Sequence, residues 1–188
     1  IPNIDKVFYE KITINYLNQL VLLHRELFPV DYSRDYFKKY ILGKNYNSLG
    51  AFVLINNKKY LIGCALWEIC NDTKFRRYCP FVLYEKKWYN CCDKIEKCGY
   101  LSTLGVINEY RNLGVAKLLI QQFLDIIKKE KCIAAFLHVI EYNKAAQKFY
   151  EKIEWNRIIE KHPSYYFIRD KYYDAYVFYK VLMENMAY

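Results

Sequence analysis

Apolar residues recur along this chain with two periods. Ile14, Leu17, Leu20, Val21, His24 and Leu27 fall on one stripe, which predicts an amphipathic helix over about 13–27. His24 belongs at the edge of that stripe, and nothing nearby in sequence makes it a ligand. Phe28-Pro29-Val30-Asp31-Tyr32 ends the helix, because proline lacks an N–H and restricts the residue before it. Ser33 supplies a cap for a second helix over about 34–42. Ser48–Ile55 reads as a strand, Asn56-Asn57 as a turn and Lys59–Ile69 as the antiparallel partner. The stretch from about 71 to 98 is polar and basic with no period, which predicts an extended hairpin or loop insertion.

The second half has a different rhythm. Tyr100–Val106 is an apolar strand, and Val115, Leu118, Leu119, Phe123, Ile126 and Ile127 mark a helix. Ile133–Val139 is the next strand. Strand, helix and strand in this order predict a right-handed crossover with parallel strands. His138 then sits at the C-terminal end of its strand, where α/β sheets bind ligands. Asn143 caps a last helix through Ala145, Ala146, Phe149 and Tyr150. Trp155–Ile159 and Ala175–Leu182 read as strands, with His162–Arg169 as a loop between them. The expected fold class is α/β (α+β), a mixed central sheet of about seven strands with helices on both faces. The whole of 1–188 suits one domain carrying the insertion.

The turn between Val106 and the helix holds the most chemistry. It reads Arg111-Asn112-Leu113-Gly114-Val115-Ala116, followed by Lys117. A helix start offers N–H groups without intrahelical partners and the positive end of the macrodipole. Gly114 and the small Ala116 let an anion approach the backbone, and Arg111 adds a permanent charge. No Gly-Lys-Ser/Thr follows, and the three-glycine dinucleotide spacing is missing, so neither of those phosphate motifs is present. The plainer alternative is a surface loop before a helix.

Charge and cysteines narrow the classes. The net charge of +9 is scattered, with no long basic tract or RNA-binding signature, so no specific nucleic-acid partner is expected. A diffuse field suits recruitment of a nucleotide-phosphate cofactor. Seven irregularly spaced cysteines suit a reduced, cytoplasmic protein. Cys79, Cys91, Cys92 and Cys98 crowd one segment but lack paired C-x2-C knuckles, so no metal is expected. No apolar run reaches the ~20 residues that span a bilayer. The first residue is Ile, so the natural start is expected to be missing. Peripheral association with the cytosolic face of an organelle membrane stays open through segments outside this sequence. A monomer or weak dimer is expected.

Four landmarks stand in the order of the GNAT acetyltransferases: the core strand, the Arg-x-x-Gly-x-Ala loop, Leu137-His138-Val139 and Asn143…Phe149-Tyr150-Glu151. More narrowly, the chain resembles the N-terminal protein acetyltransferases of the NatE and NatF type. The resemblance is carried by Phe28–Tyr32, Tyr100–Val106, Leu137–Val139, Asn143–Glu151 and Tyr165–Arg169. One departure is Lys152-Ile153-Glu154-Trp155, where such enzymes end the helix with Gly-Phe; a missing glycine puts that turn's geometry in question.

The resemblance implies acetyl-CoA as cofactor. Leu104, Gly105 and Val106 would offer backbone groups to pantetheine and thioester. Arg111, Asn112, Leu113, Gly114, Val115, Ala116 and Lys117 would cradle the pyrophosphate. Asn143 would bond the pantetheine arm, and Tyr150 would lie near the sulfur. A plain N-cap and a helix contact are the alternatives for those two. Phe28, Pro29, Val30, Tyr32, Ser102, Tyr165, Tyr166 and Ile168 would hold the substrate, a protein N-terminus beginning with Met and a hydrophobic or similar second residue. Loop packing is the alternative for the aromatics.

Tyr100 and His138 would do the proton work. An α-ammonium has a pKa of about 7.7–8.0, so a base near neutrality suffices, and a backbone N–H near Val106 would stabilise the oxyanion. For His138 the alternative is a buried, satisfied histidine, since Ala134 and Phe136 beside it are apolar. No cysteine sits by a base, so transfer is expected to be direct, without an acyl-enzyme. Rival readings are acetylation of lysine side chains or small amines, and a silent GNAT-fold subunit.

Overall fold

The computed structural model describes residues 7–71, 73 and 97–182. Most of the 71–98 insertion therefore lies outside the described residues, with Cys79, Cys91 and Cys92. The described chain forms two compact units, one of residues up to Glu68 and Leu101–Ile126, the other of Ile69–Tyr100 and Ile127 onward.

In the first unit, strand β1 (Phe8–Lys11) precedes a 3-10 turn, Ile14–Tyr16, and helix α1 (Leu17–Leu27). The first turn of the apolar stripe takes the tighter 3-10 form instead of α-helix. Helix α2 (Arg34–Leu42) begins where Ser33 predicts, with Ser33 Oγ accepting from Tyr36 N at 3.2 Å. Strands β2 (Tyr46–Ile55) and β3 (Lys58–Asn71) pair antiparallel across Asn56-Asn57. Both asparagines have positive φ, 50° and 60°, the type I′ pattern that matches strand twist. Strand β4 (Lys97–Val106) follows β3 in the hydrogen-bonded order β1-β2-β3-β4.

Alternation along β3 separates the helices. Cys64 and Leu66 pack with Leu20, Phe37 and Ile41 of α1 and α2, while Trp67 meets Phe123 of helix α3 (Val115–Lys129) at 5.4 Å. Successive strand residues point to opposite faces, so α3 and the α1–α2 pair cover opposite sides, as the sequence predicts. Gly105 is tightly packed here: a Cβ would meet Leu27 at 2.6 Å and the Phe28 ring at 3.1 Å.

The second unit is built around strand β5 (Cys132–Ile140), buried from Cys132 to Val139. A continuous apolar run is what a strand buried on both faces requires. It pairs in parallel with β4 from Lys97↔Cys132 to Tyr100↔Phe136, and antiparallel with β8 (Lys171–Val181). The sheet is therefore mixed. Helix α4 (Lys144–Lys152) is capped by Asn143, whose Oδ1 accepts from Ala146 N at 3.1 Å. The missing glycine after α4 is made good in two ways. Glu154 itself takes the left-handed conformation, φ 61°, and Lys180 Nζ donates to the carbonyls of Ile153 and Glu154, each at 3.3 Å. Trp155 N still closes onto Tyr150 O at 3.0 Å, so the turn keeps its geometry.

Two readings need correction. The predicted strand Trp155–Ile159 shrinks to β6 (Asn156–Arg157), paired to Tyr179 and Phe178. The predicted loop His162–Arg169 is instead strand β7 (His162–Ile168), joined to β8 by Arg169-Asp170 at φ 48° and 59°. This is a second I′ turn, but it lacks the Asn-Gly or Asp-Gly signature. Pro163, usually confined to edges and bulges, masked the strand further. The described strands number eight, against about seven expected. Among the described residues no helix is long and apolar enough to cross a membrane.

Candidate functional site

The Arg111–Lys117 turn lies wholly in the first unit. Gly114 has φ 83°, a conformation that L side chains resist, and its carbonyl accepts from Leu118 N at 3.0 Å. It is thus the N-cap of α3, and the N–H groups of Val115, Ala116 and Lys117 precede the first intrahelical bond. Nothing stands within 4 Å of where a Gly114 Cβ would be. Asn112 also takes positive φ, 61°, which asparagine tolerates. Arg111 is exposed and tied down: its Nε donates to Val106 O at 2.9 Å. Of the predicted Leu104–Val106 groups, the Val106 carbonyl is therefore already engaged. Val115 is buried and anchors the turn.

The aromatic loop after α1 also belongs to the first unit. Phe28 ends the helix, its N–H donating to His24 O at 2.9 Å, and its ring lies 5.0 Å from His24. Tyr32 stacks on Tyr36 at 4.4 Å, and burial beside Tyr40 pushes its phenol up to about 12. Pro29 is exposed and Val30 half-buried. Ser102 accepts from Tyr40 Oη at 2.7 Å. Phe28 and Tyr32 thus make ring contacts within their own unit and both stay half-buried.

His24 is a correction. It sits 1 % exposed inside the unit instead of at the edge of a stripe. Its Nδ1 lies 3.1 Å from Leu20 O and its Nε2 3.0 Å from Thr103 Oγ1. A carbonyl only accepts, so Nδ1 carries the proton and Thr103 donates to Nε2. Burial pulls its pKa down to about 4, against a small opposing effect of the Leu20 bond.

The second unit holds Tyr100 and His138. Tyr100, half-buried, is the last residue of the β4–β5 ladder; His138, 9 % exposed, is two residues from the end of β5. Tyr100 Oη lies 3.2 Å from His138 Nδ1 and 2.7 Å from Tyr165 Oη. The Tyr165 ring stacks on the His138 imidazole at 3.8 Å with 6° between planes. Tyr166 Oη donates to His138 O at 3.2 Å. Tyr100, His138, Tyr165 and Tyr166, chosen from sequence, are brought together. Ile168 is 6 % exposed and belongs to the interior. Tyr150 is also buried, among Phe149, Trp155 and Phe178, and burial raises its phenol pKa, which keeps it protonated. Asn143 is exposed at its cap.

His162 received no role from sequence. Its Nδ1 stands 3.3 Å from His138 Nε2. In a regular strand, residues three apart point to opposite faces, which hides any link between His162 and Tyr165. Here the β7–β8 register shifts between His162 and Tyr166, and Ser164 adopts φ 52° with its N–H on Asp174 Oδ1. The bulge re-aims the strand, and the His162 and Tyr165 rings come to 4.9 Å.

Comparisons with known proteins give the family and the related folds. The acetyltransferase (GNAT) family matches residues 17–155. The structure superposes on Arabidopsis thaliana NAA60 bound to acetyl-CoA with a TM-score of 0.82, at 23 % identity over 94 % of this chain and 98 % of that one. For Arabidopsis thaliana Naa50 bound to the bisubstrate analogue CoA-Ac-MVNAL, the TM-score is 0.68 at 26 % identity, over 93 % and 98 %. Over 123 residues the chain is 27 % identical to the histone acetyltransferase MCC1 of Arabidopsis thaliana, covering 63 % of this chain and 47 % of that protein. The chain thus spans about half the length of that curated relative. With most of its described residues inside the match, this chain belongs to the acetyltransferase (GNAT) family.

Proposed function

We propose that the chain is an acetyl-CoA-dependent N-terminal protein acetyltransferase. The observation that carries this reading is the Tyr100–His138 hydrogen bond with two tyrosines, Tyr165 and Tyr166, on the same histidine. Family membership and the likeness to NAA60 and Naa50 support it. The anion turn fits the cofactor: Gly114 leaves open space, and three helix-start N–H groups and Arg111 suit a pyrophosphate. When bound, acetyl-CoA supplies an activated acetyl thioester.

The chain's own work is proton transfer and orientation. A peptide α-ammonium must lose a proton before its nitrogen can attack. His138 takes that proton, through Tyr100 or a water that Tyr100 orders, since a phenol of pKa about 10 is a poor base alone. Tyr165 stacking fixes the imidazole plane, and Tyr166 fixes the backbone beneath it. Hydroxyls and apolar ring faces together suit the first backbone groups and an apolar first side chain. Burial pushes the Cys64 thiol up and Cys132 up to about 11, which makes both poor nucleophiles and supports direct transfer. Asn143 would hold the pantetheine with the amide capacity its cap leaves over, and Tyr150, kept a neutral phenol by burial, would serve the sulfur side.

Initial rates with acetyl-CoA over a panel of N-terminal peptides test this. Peptides beginning Met-Leu should outrun blocked peptides with an internal lysine, and free small amines. The likeness to MCC1, named a histone acetyltransferase, favours a second reading, lysine acetylation. A faster internal-lysine peptide would replace the first reading with the second.

A further inference from the structure

Each turnover of such a transfer releases a proton. The α-ammonium gives up two as its nitrogen bonds to the acetyl carbon and the carbon–sulfur bond breaks. The departing thiolate takes one, and the other must leave the site. His138 is 9 % exposed, so its passage to solvent needs a carrier.

We propose that His162 is that carrier, a relay residue acting through His138 and resting on the acetyltransferase reading above. The geometry is a chain of titratable groups: Tyr100 Oη to His138 Nδ1 at 3.2 Å, then His138 Nε2 to His162 Nδ1 at 3.3 Å. In the relay, Tyr100 faces Nδ1 of His138 and the ring's own hydrogen lies on Nε2, towards His162 Nδ1. A proton arriving at Nδ1 of His138 therefore frees the one on Nε2 to move to His162. His162 is half-buried, at the start of β7, so its ring spans the interior and the surface. The bulge at Ser164 brings His162 and Tyr165 onto the same imidazole, one at its edge and the other on its face. A histidine that only filled space would not need its nitrogen aimed at Nε2.

The test uses His162→Ala and His162→Gln in the whole chain, with a Met-Leu peptide and acetyl-CoA. Glutamine can still hydrogen-bond His138 but cannot pass a proton on. Both variants should lower kcat about tenfold or more, in the lower range of acid–base effects, with the KM for acetyl-CoA unchanged. Added imidazole should restore the alanine variant, which leaves room for it, towards the wild-type rate. Wild-type kcat in either variant overturns the relay: activity kept in glutamine alone would mean that His162 merely positions His138. A loss in the folded alanine variant that imidazole does not restore also overturns it. Melting curves show whether either variant is folded. Should alanine unfold, glutamine carries the test. If the unaltered chain acetylates no N-terminal peptide, the underlying reading fails; if it does and the variants match it, only the relay fails.

Discussion

Two buried histidines, one in each unit, have the same ring and different partners. His24 is 1 % exposed and His138 is 9 % exposed, so burial alone does not separate them. Their partners do. His24 faces a carbonyl that can only accept and a threonine hydroxyl that completes the other nitrogen, within the rings of Phe28, Tyr32 and Phe37. One tautomer is fixed, and the further neighbour, Cys64 Sγ at 4.0 Å from Nδ1, is a thiol that burial keeps protonated. His138 faces a phenol on one nitrogen and an imidazole on the other, and each can give or accept. Partners that can both give and accept are what the proposed base role of His138 requires.

The largest effects should come from breaking the His138 side. Tyr100→Phe and His138→Ala should each lower kcat by about 10²–10⁴-fold while acetyl-CoA still binds. The double variant should lose little more than the worse single, because the two act as one unit. Near-normal kcat in both singles at pH 7.5 would remove the contrast with His24. Gly114→Glu probes the other half of the reaction. It adds bulk and a negative charge at φ 83°, where open space and helix N–H groups suit an anion. Calorimetry should find acetyl-CoA binding weakened at least a hundredfold, and retained affinity would move the cofactor elsewhere.

Much of this was legible in the chain. Ser33, Asn56-Asn57 and Asn143 act locally, through their own side chains or backbone preferences, so their positions follow from sequence. Tyr100 and His138 were legible because each stands in a landmark strand. The rest depends on distant partners. His24 reads as an edge residue because Thr103, which satisfies it, is 79 residues away. Glu154 reads as a poor helix end until Lys180, 26 residues on, appears at its carbonyl. β7 was hidden by Pro163 and by a bulge that breaks the two-residue period, and His162 was hidden with it.

His24 should reveal itself in stability. Its folded pKa of about 4 lies below the ordinary 6.5, so the unfolded chain binds the proton more readily. The stability that depends on its neutral form is complete above about pH 6.5 and is lost as pH falls towards 4. Two and a half units correspond to roughly 3 kcal/mol at most. Urea unfolding between pH 7.5 and 4 should show this slope, and His24→Gln should flatten it. An unchanged slope would mean that His24 is not held neutral.

The smallest change sharpens the contrast most. Thr103 is 5 % exposed, and its hydroxyl lies 3.0 Å from His24 Nε2. Thr103→Val keeps the shape of the side chain and removes only that donor. The Leu20 carbonyl still requires the proton on Nδ1, so the ring cannot switch tautomer without orphaning the carbonyl instead. The Nε2 lone pair is left buried without a donor, at a cost of about 1–3 kcal/mol, partly offset because the buried hydroxyl has gone as well. A net loss of about 1–2 kcal/mol in urea unfolding at pH 7.5 is expected, with kcat unchanged. Removing a partner of His24 would then cost stability and spare the rate, whereas Tyr100→Phe, removing a partner of His138, would cost the rate. Unchanged stability would mean that the hydroxyl does not hold the ring. A lower kcat at full stability would draw His24 into the chemistry and dissolve the distinction between the two histidines.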